Sequence, residues 1–209
     1  MTTYLTPARY GEAEFVEKRS RFIGRVWRTD TEAEALEKIR EMRERHRDAT
    51  HNVYAYIIRE NNITRYSDDG EPSGTSGMPV LNVFATEGIT NVCCVVTRYF
   101  GGTLLGTGGL VHAYSKAAKE ALDAAGVSLM ALWSLLRISI SYSFYDRAVR
   151  LLDEFEASVL SSDFGENVSL QAPVRKDIEE TFLERMTEYS AGKAIVEKTE
   201  ERFCGVRVG

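Results

Sequence analysis

Nine of the sixteen glycines in this chain fall between residues 70 and 109, a concentration that regular helices and strands do not need. Glycine costs chain entropy, so it is best accounted for where backbone turns sharply or approaches a ligand. Two segments carry eight of the nine. The first, Ser67-Asp68-Asp69-Gly70-Glu71-Pro72-Ser73-Gly74-Thr75-Ser76-Gly77, has no hydrophobic side chain and reads as a loop of functional length. The second, Gly101-Gly102-Thr103-Leu104-Leu105-Gly106-Thr107-Gly108-Gly109, follows an apolar, β-branched run from Asn91 to Tyr99 and feeds a helix expected from about Leu110 to Ala125, closed by Gly126.

A strand exit, glycines and a helix N-terminus favour an anion, because first-turn amides lack partners and the helix dipole is positive there. The only formal charges between Tyr99 and Lys119 are the cations Lys116 and Lys119. The expected anion or ligand site is therefore Arg98, Gly106, Thr107, Gly108, Gly109 and Lys116. Neither standard phosphate motif is met: the dinucleotide fingerprint lacks its last glycine, and no Gly-Lys-Ser/Thr follows. A tight structural connection is the competing reading of the same loop.

Around these loops, alternation marks residues 10 to 18 and 21 to 28 as a hairpin, and Val53 to Ile58 with Ile63 to Tyr66 as a second hairpin turning at Asn61-Asn62. A helix is expected from a capping box at Thr29 and Glu32 to about Ala49, and a short helix around Pro79 ending at Gly88. From Leu135 the pattern restarts as βαββαβ, with helices over 144 to 157 and 176 to 191. That order is the ferredoxin-like arrangement. The expected domains are 1–130 and 131–209, joined between Ser128 and Ser134 with no Pro- or Ser-rich linker.

Charge and cysteine usage narrow the function. Net charge is -5, so no global positive field draws the chain to nucleic acid and any such site is a local patch. Residues 1 to 130 carry 16 basic and 17 acidic groups against 10 and 14 in the remainder, which places the expected site in the first part. With three cysteines and no apolar run near the ~20 residues a bilayer requires, the expectation is a cytoplasmic protein with reduced thiols and no membrane partner.

Other motifs are less telling. Asp68, Asp69 and Glu71 lack the ligand alternation of a calcium loop, and His46, His51 and His112 fit no zinc spacing, so no metal and no cofactor are expected. No nucleophile, acid and base set stands out, so no catalytic residue is assigned. Arg21, His51, Asp68, Asp69, Glu71, Ser73, Thr75 and Tyr99 are expected at the loops and strand edges that would face a partner. Tyr66, Arg98, Tyr99 and Phe100 could stack a base or anchor a peptide.

Ser20-Arg21-Phe22-Ile23, Ala49-Thr50-His51-Asn52-Val53-Tyr54-Ala55-Tyr56, the polar loop 67–77, Arg98-Tyr99-Phe100-Gly101-Gly102, Leu105-Gly106-Thr107-Gly108-Gly109-Leu110 and Ala113-Tyr114-Ser115 together resemble the IMPACT family, in particular its bacterial YigZ-type members. The resemblance covers residues 4 to 209. It implies an α+β chain: an N-terminal ribosomal protein S5 domain 2-like domain, then a C-terminal ferredoxin-like βαββαβ domain similar to one in elongation factor G. The resemblance also implies that eukaryotic relatives are translation regulators acting through a partner domain, one not expected in this chain. For YigZ-type members the resemblance implies a role in translation or RNA binding, with no established reaction. Two functions are thus expected to compete: a regulatory protein binding RNA or a ribosome-associated protein, and an enzyme or ligand-dependent switch acting on a phosphate-bearing small molecule at the glycine loops.

Overall fold

β-branched and aromatic runs separated by short turns build the first sheet of the protein. The computed structural model describes residues 2–206. The elements up to residue 125 are β1 (Thr3–Pro7), β2 (Gly11–Glu17), β3 (Ser20–Arg28), α1 (Glu32–Arg45), β4 (His51–Ile58), β5 (Ile63–Ser67), α2 (Gly77–Thr86), β6 (Val92–Tyr99) and α3 (Thr107–Ala125). Positive φ at Lys18 and Arg19 closes the β2–β3 hairpin, and at Asn61 and Asn62 the β4–β5 hairpin. The sheet order is β2-β3-β6-β4-β5, and its pairs are antiparallel.

Both faces of this sheet are covered, which explains why β6 is buried along nearly its whole length. Val92, Cys94 and Val96 pack toward α2 and α3, while Cys93 and Val95 pack toward Ala35, Ile39 and Met42 of α1. Small residues set the depth at which α3 lies. A Cβ on Gly24 would stand 2.2 Å from the Ala117 carbonyl oxygen, and one on Gly11 equally close to that of Ala121.

Three boundaries among these elements differ from expectation. The α1 cap is Thr31, whose hydroxyl takes the Glu34 N–H at 3.3 Å, rather than Thr29. Thr29 is held extended by its own N–H donating to the Asn91 carbonyl. The same helix stops at Arg45 rather than Ala49, with the His46 N–H closing on Met42. α3 begins at Thr107 instead of Leu110, because Gly106 at φ 77° makes the turn by itself and leaves Gly108 and Gly109 inside the helix.

The later elements are β7 (Val127–Ile140), α4 (Tyr145–Glu154), β8 (Ser161–Phe164), β9 (Val168–Arg175), α5 (Glu179–Tyr189) and β10 (Ile195–Val206). β7 starts at Val127 rather than Leu135. It lies between β10 and β9, with β8 outside β9. One face carries Leu136, Ile138, Ile140, Val168, Leu170, Ala172 and Val174 against Leu151, Leu152, Phe182 and Met186 of α4 and α5. The chain divides into a unit of residues 4–129 and a unit running from Met130 that includes Thr2 and Thr3. The ends of the expected domain limits, Met1 and residues 207–209, lie outside the described residues. The fold is α+β, an S5 domain 2-like unit followed by a ferredoxin-like βαββαβ unit. Among the described residues no helix is long and apolar enough to cross a membrane.

Candidate functional site

Strand register brings the first two site residues together. His51 opens β4 directly opposite Arg98 of β6, and Phe22 of β3 flanks Arg98 on its other side. Two-residue alternation puts all three on the face toward α2 and α3.

The polar loop reaches this end of the sheet through its own hydrogen bonds. Asp68 accepts from the amides of Gly74, Ser76 and Gly77 and from the Ser76 hydroxyl. Burial opposes its negative charge, yet these donors outweigh burial and hold the carboxyl below the usual aspartate range. Asp69 accepts the Asn52 N–H at 2.7 Å and Arg43 at 2.8 Å. Its carbonyl lies 2.8 Å from His51 Nδ1. Since a carbonyl only accepts, Nδ1 carries a proton and Nε2 is the ring nitrogen left toward the cleft.

The loop so held inserts Glu71 beneath the sheet end. Glu71 Oε1 accepts from Arg98 Nη1 at 2.6 Å and from the Tyr114 hydroxyl at 2.7 Å, and His51 Nε2 stands 3.7 Å away. The side chains of Glu71 and Arg98 are 4% and 6% exposed. A second Arg98 nitrogen, Nη2, donates to Ser20 at 3.3 Å, and the guanidinium lies 5.4 Å from both the Phe22 and Phe100 ring centres. Its Nε has no hydrogen-bond partner among the described residues. Burial, then the Glu71 charge, pushes the Tyr114 hydroxyl far up from its ordinary range.

Above this pair opens a cleft of about 430 Å³. His51, Glu71 and Arg98 line it with Gly106 and Thr107 at the start of α3, and Pro72, Phe100, Leu104, Leu105 and Leu110 give it apolar walls. Gly106 offers no side-chain cap to α3. The first turn therefore presents unpaired amides beside a buried arginine, an arrangement able to receive an acceptor-rich, anionic group.

Of the residues singled out in the sequence, His51, Glu71, Arg98, Gly106 and Thr107 meet in the cleft. Gly108 and Gly109 lie in the first turn of α3, the latter against Leu105. Lys116 does not join them: nine residues beyond Thr107 it is about 13 Å along the axis. There its amine stands over the Phe15 ring at 4.3 Å and near Glu120, and it lines a groove between α2 and α3. Arg21 and Tyr99 fall on the α1 face, one residue out of phase with Arg98; Arg21 is chelated by Glu14, and the Tyr99 hydroxyl meets His46 at 2.8 Å. Asp68 and Asp69 face inward to their donors rather than outward. Thr75 is buried with its hydroxyl on the Pro72 carbonyl, and Ser73 is exposed. Among the described residues no group of three or more His, Cys, Asp or Glu could hold a metal ion.

The role of Tyr114 escapes a reading of motifs alone. Its signal is a phenol on the alanine-lined face of α3 with Ala113, Ala117 and Ala121, where a buried hydroxyl calls for a partner.

Comparison with known proteins follows this division of the chain. The family described as Impact N-terminal domain matches residues 18–122, and that described as Domain of unknown function (DUF1949) matches residues 138–193. The chain is 39% identical over 199 residues to IMPACT family member YvyE of Bacillus subtilis (strain 168), covering 95% of this chain and 92% of that protein. It is 30% identical over 195 residues to IMPACT family member YigZ of Escherichia coli (strain K12), covering 92% and 96%. A solved structure described as that of an hypothetical protein aligns with a TM-score of 0.61 at 29% identity, over 96% of this chain and 98% of the other.

Proposed function

The chain belongs to the IMPACT family, and from that premise we propose that it is a cytoplasmic regulatory protein that acts by binding, linked to translation through RNA or a ribosome-associated protein. The engaged surface is the cleft end of the first sheet. The observation that carries this reading is the buried Arg98–Glu71 pair lying beside the uncapped N-terminus of α3. Arg98 and the amides of residues 107 to 109 receive an anionic group of the partner, with Gly106 shaping the turn. Lys116, in a separate groove and beside Glu120, takes no part in this contact.

A second reading, a ligand-dependent switch or enzyme acting on a phosphate-bearing small molecule, is favoured by the cleft volume, which falls in the range of small-molecule pockets. One set of experiments separates the two. RNA affinity that falls steeply as salt rises, together with RNA or ribosomal proteins recovered by the wild-type chain and lost by Gly108→Asp, supports the first. Absence of both from the wild-type chain, with thermal stabilisation by phosphate compounds, supports the second.

A further inference from the structure

The two halves of the cleft differ in chemistry, and together they specify a ligand class. In the polar half, Arg98 is 5% exposed and its Nε lacks a partner among the described residues. The first backbone amide of α3 with an intrahelical bond is that of Leu110, to Gly106, which leaves those of Thr107, Gly108 and Gly109 without helical acceptors. Three neighbouring amides match the three terminal oxygens of a phosphate monoester better than the two of a carboxylate. Glu71 keeps its charge while engaged by Arg98 and Tyr114, so the pair is close to neutral and the unpaired amides of α3 carry the anion.

The apolar half supplies a wall for a planar group. Phe100 is 45% exposed, with the Arg98 guanidinium near its ring, and Pro72 and Leu104 bound the same space. Between the halves, His51 Nε2, left over by the Nδ1 contact to Asp69, can hydrogen-bond a ligand hydroxyl. A volume of about 430 Å³ holds one nucleotide and no duplex.

The geometry points to a phosphomonoester nucleotide as the ligand of this cleft, its phosphate on the first turn of α3 and its base against Phe100. This rests on the anion-binding reading of the same site and gives it a chemical class. A free nucleoside monophosphate and the 5′-phosphorylated end of an RNA share that chemistry.

Calorimetric titration of the full chain tests it with 5′-AMP, adenosine, inorganic phosphate, and one RNA octamer carrying either a 5′-phosphate or a 5′-hydroxyl. The expected result is AMP binding at least tenfold tighter than adenosine or phosphate, or a tenfold preference for the 5′-phosphorylated RNA; the tighter of the two names the source. Phe100→Ala and Thr107→Asp, both at exposed positions, should each weaken binding tenfold with the thermal midpoint retained. A 5′-phosphate that adds nothing to either ligand overturns the inference, as does full affinity in folded Thr107→Asp. RNA binding that survives Thr107→Asp and ignores the 5′-phosphate overturns the nucleotide pocket while leaving the translation-linked reading standing. AMP binding with no RNA or ribosomal partner recovered does the reverse.

Discussion

The hydroxyl of Tyr114 donates to Glu71 Oε1 over 2.7 Å, so the middle of α3 is tied to the polar loop through a carboxylate that also holds Arg98. Loop, helix and sheet end thus share one buried acceptor, and removing any member strands the others.

Glu71→Ala leaves the Arg98 charge buried and uncompensated, and should cost about 3 to 5 kcal/mol. Tyr114→Phe removes one donor to a charged acceptor and should cost about 1.5 to 3 kcal/mol. Urea unfolding at neutral pH measures both. A Tyr114→Phe loss below about 0.5 kcal/mol, the size of an ordinary surface effect, would deny the hydrogen bond its structural role.

The glycines divide into those that touch backbone and those that do not. Gly24→Ala sets a Cβ 2.2 Å from the Ala117 carbonyl oxygen, so α3 must shift and stability should fall by about 3 kcal/mol. Gly108→Ala meets nothing within 4 Å and sits in a helix, where it should gain about 0.5 kcal/mol. Equal effects of the two substitutions would contradict the close approach of α3 to β3.

Asp68 gives the polar loop a pH dependence of definite sign. Its folded carboxyl lies below the ordinary value, so the stability it contributes is present above about pH 4 and is lost as pH falls further. Hydrogen exchange should show protection of the Gly74, Ser76 and Gly77 amides declining on acidification. In Asp68→Asn that protection should already be low near neutrality and change less with acid; an unchanged acid profile would remove Asp68 as its cause.

Thiol chemistry should be confined to one cysteine. Burial pushes Cys93 up to about 12 and Cys94 well above its ordinary range, whereas Cys204 is only partly covered. An aromatic disulfide reagent at pH 8 should modify Cys204 in the native protein and all three thiols in denaturant. Rapid native labelling of Cys93 or Cys94 would show that β6 opens.

The ferredoxin-like unit has its own core between α4, α5 and one sheet face. A fragment of residues 130–209 should therefore unfold cooperatively on heating. A soluble fragment with no cooperative transition would move the domain division elsewhere.

The two hairpins and the βαββαβ order are legible in sequence because alternation and turn residues such as Asn61-Asn62 act locally. β1 is not legible, since Thr3–Pro7 shows little pattern; its place is set by backbone bonds such as Thr90 N–H to the Leu5 carbonyl. The cleft is half legible. Glycine clustering marks the loops, but whether a side chain reaches the cleft depends on phase: Arg98 does, and its neighbour Tyr99 faces α1. Lys116 fails for the parallel reason in a helix, where distance along the axis outweighs closeness in sequence. The inward turn of Asp68 and Asp69 depends on amides that only the folded loop presents.

The glycine and alanine seam along α3 also bears on how far the cleft can yield. With Gly11 and Gly24 pressed against the carbonyls of Ala121 and Ala117, the helix has no slack against β2 and β3, and its first turn is a fixed jaw. The opposing jaw is the run from Phe100 to Gly106, held by the Phe100 N–H on Thr50 Oγ1, the Gly101 N–H on Ser20 Oγ and buried Leu105, and bearing the solvent-facing Leu104. The seat is thus built before any guest arrives, and a guest is selected by its fit to a gap whose two walls are both anchored in the sheet and its core.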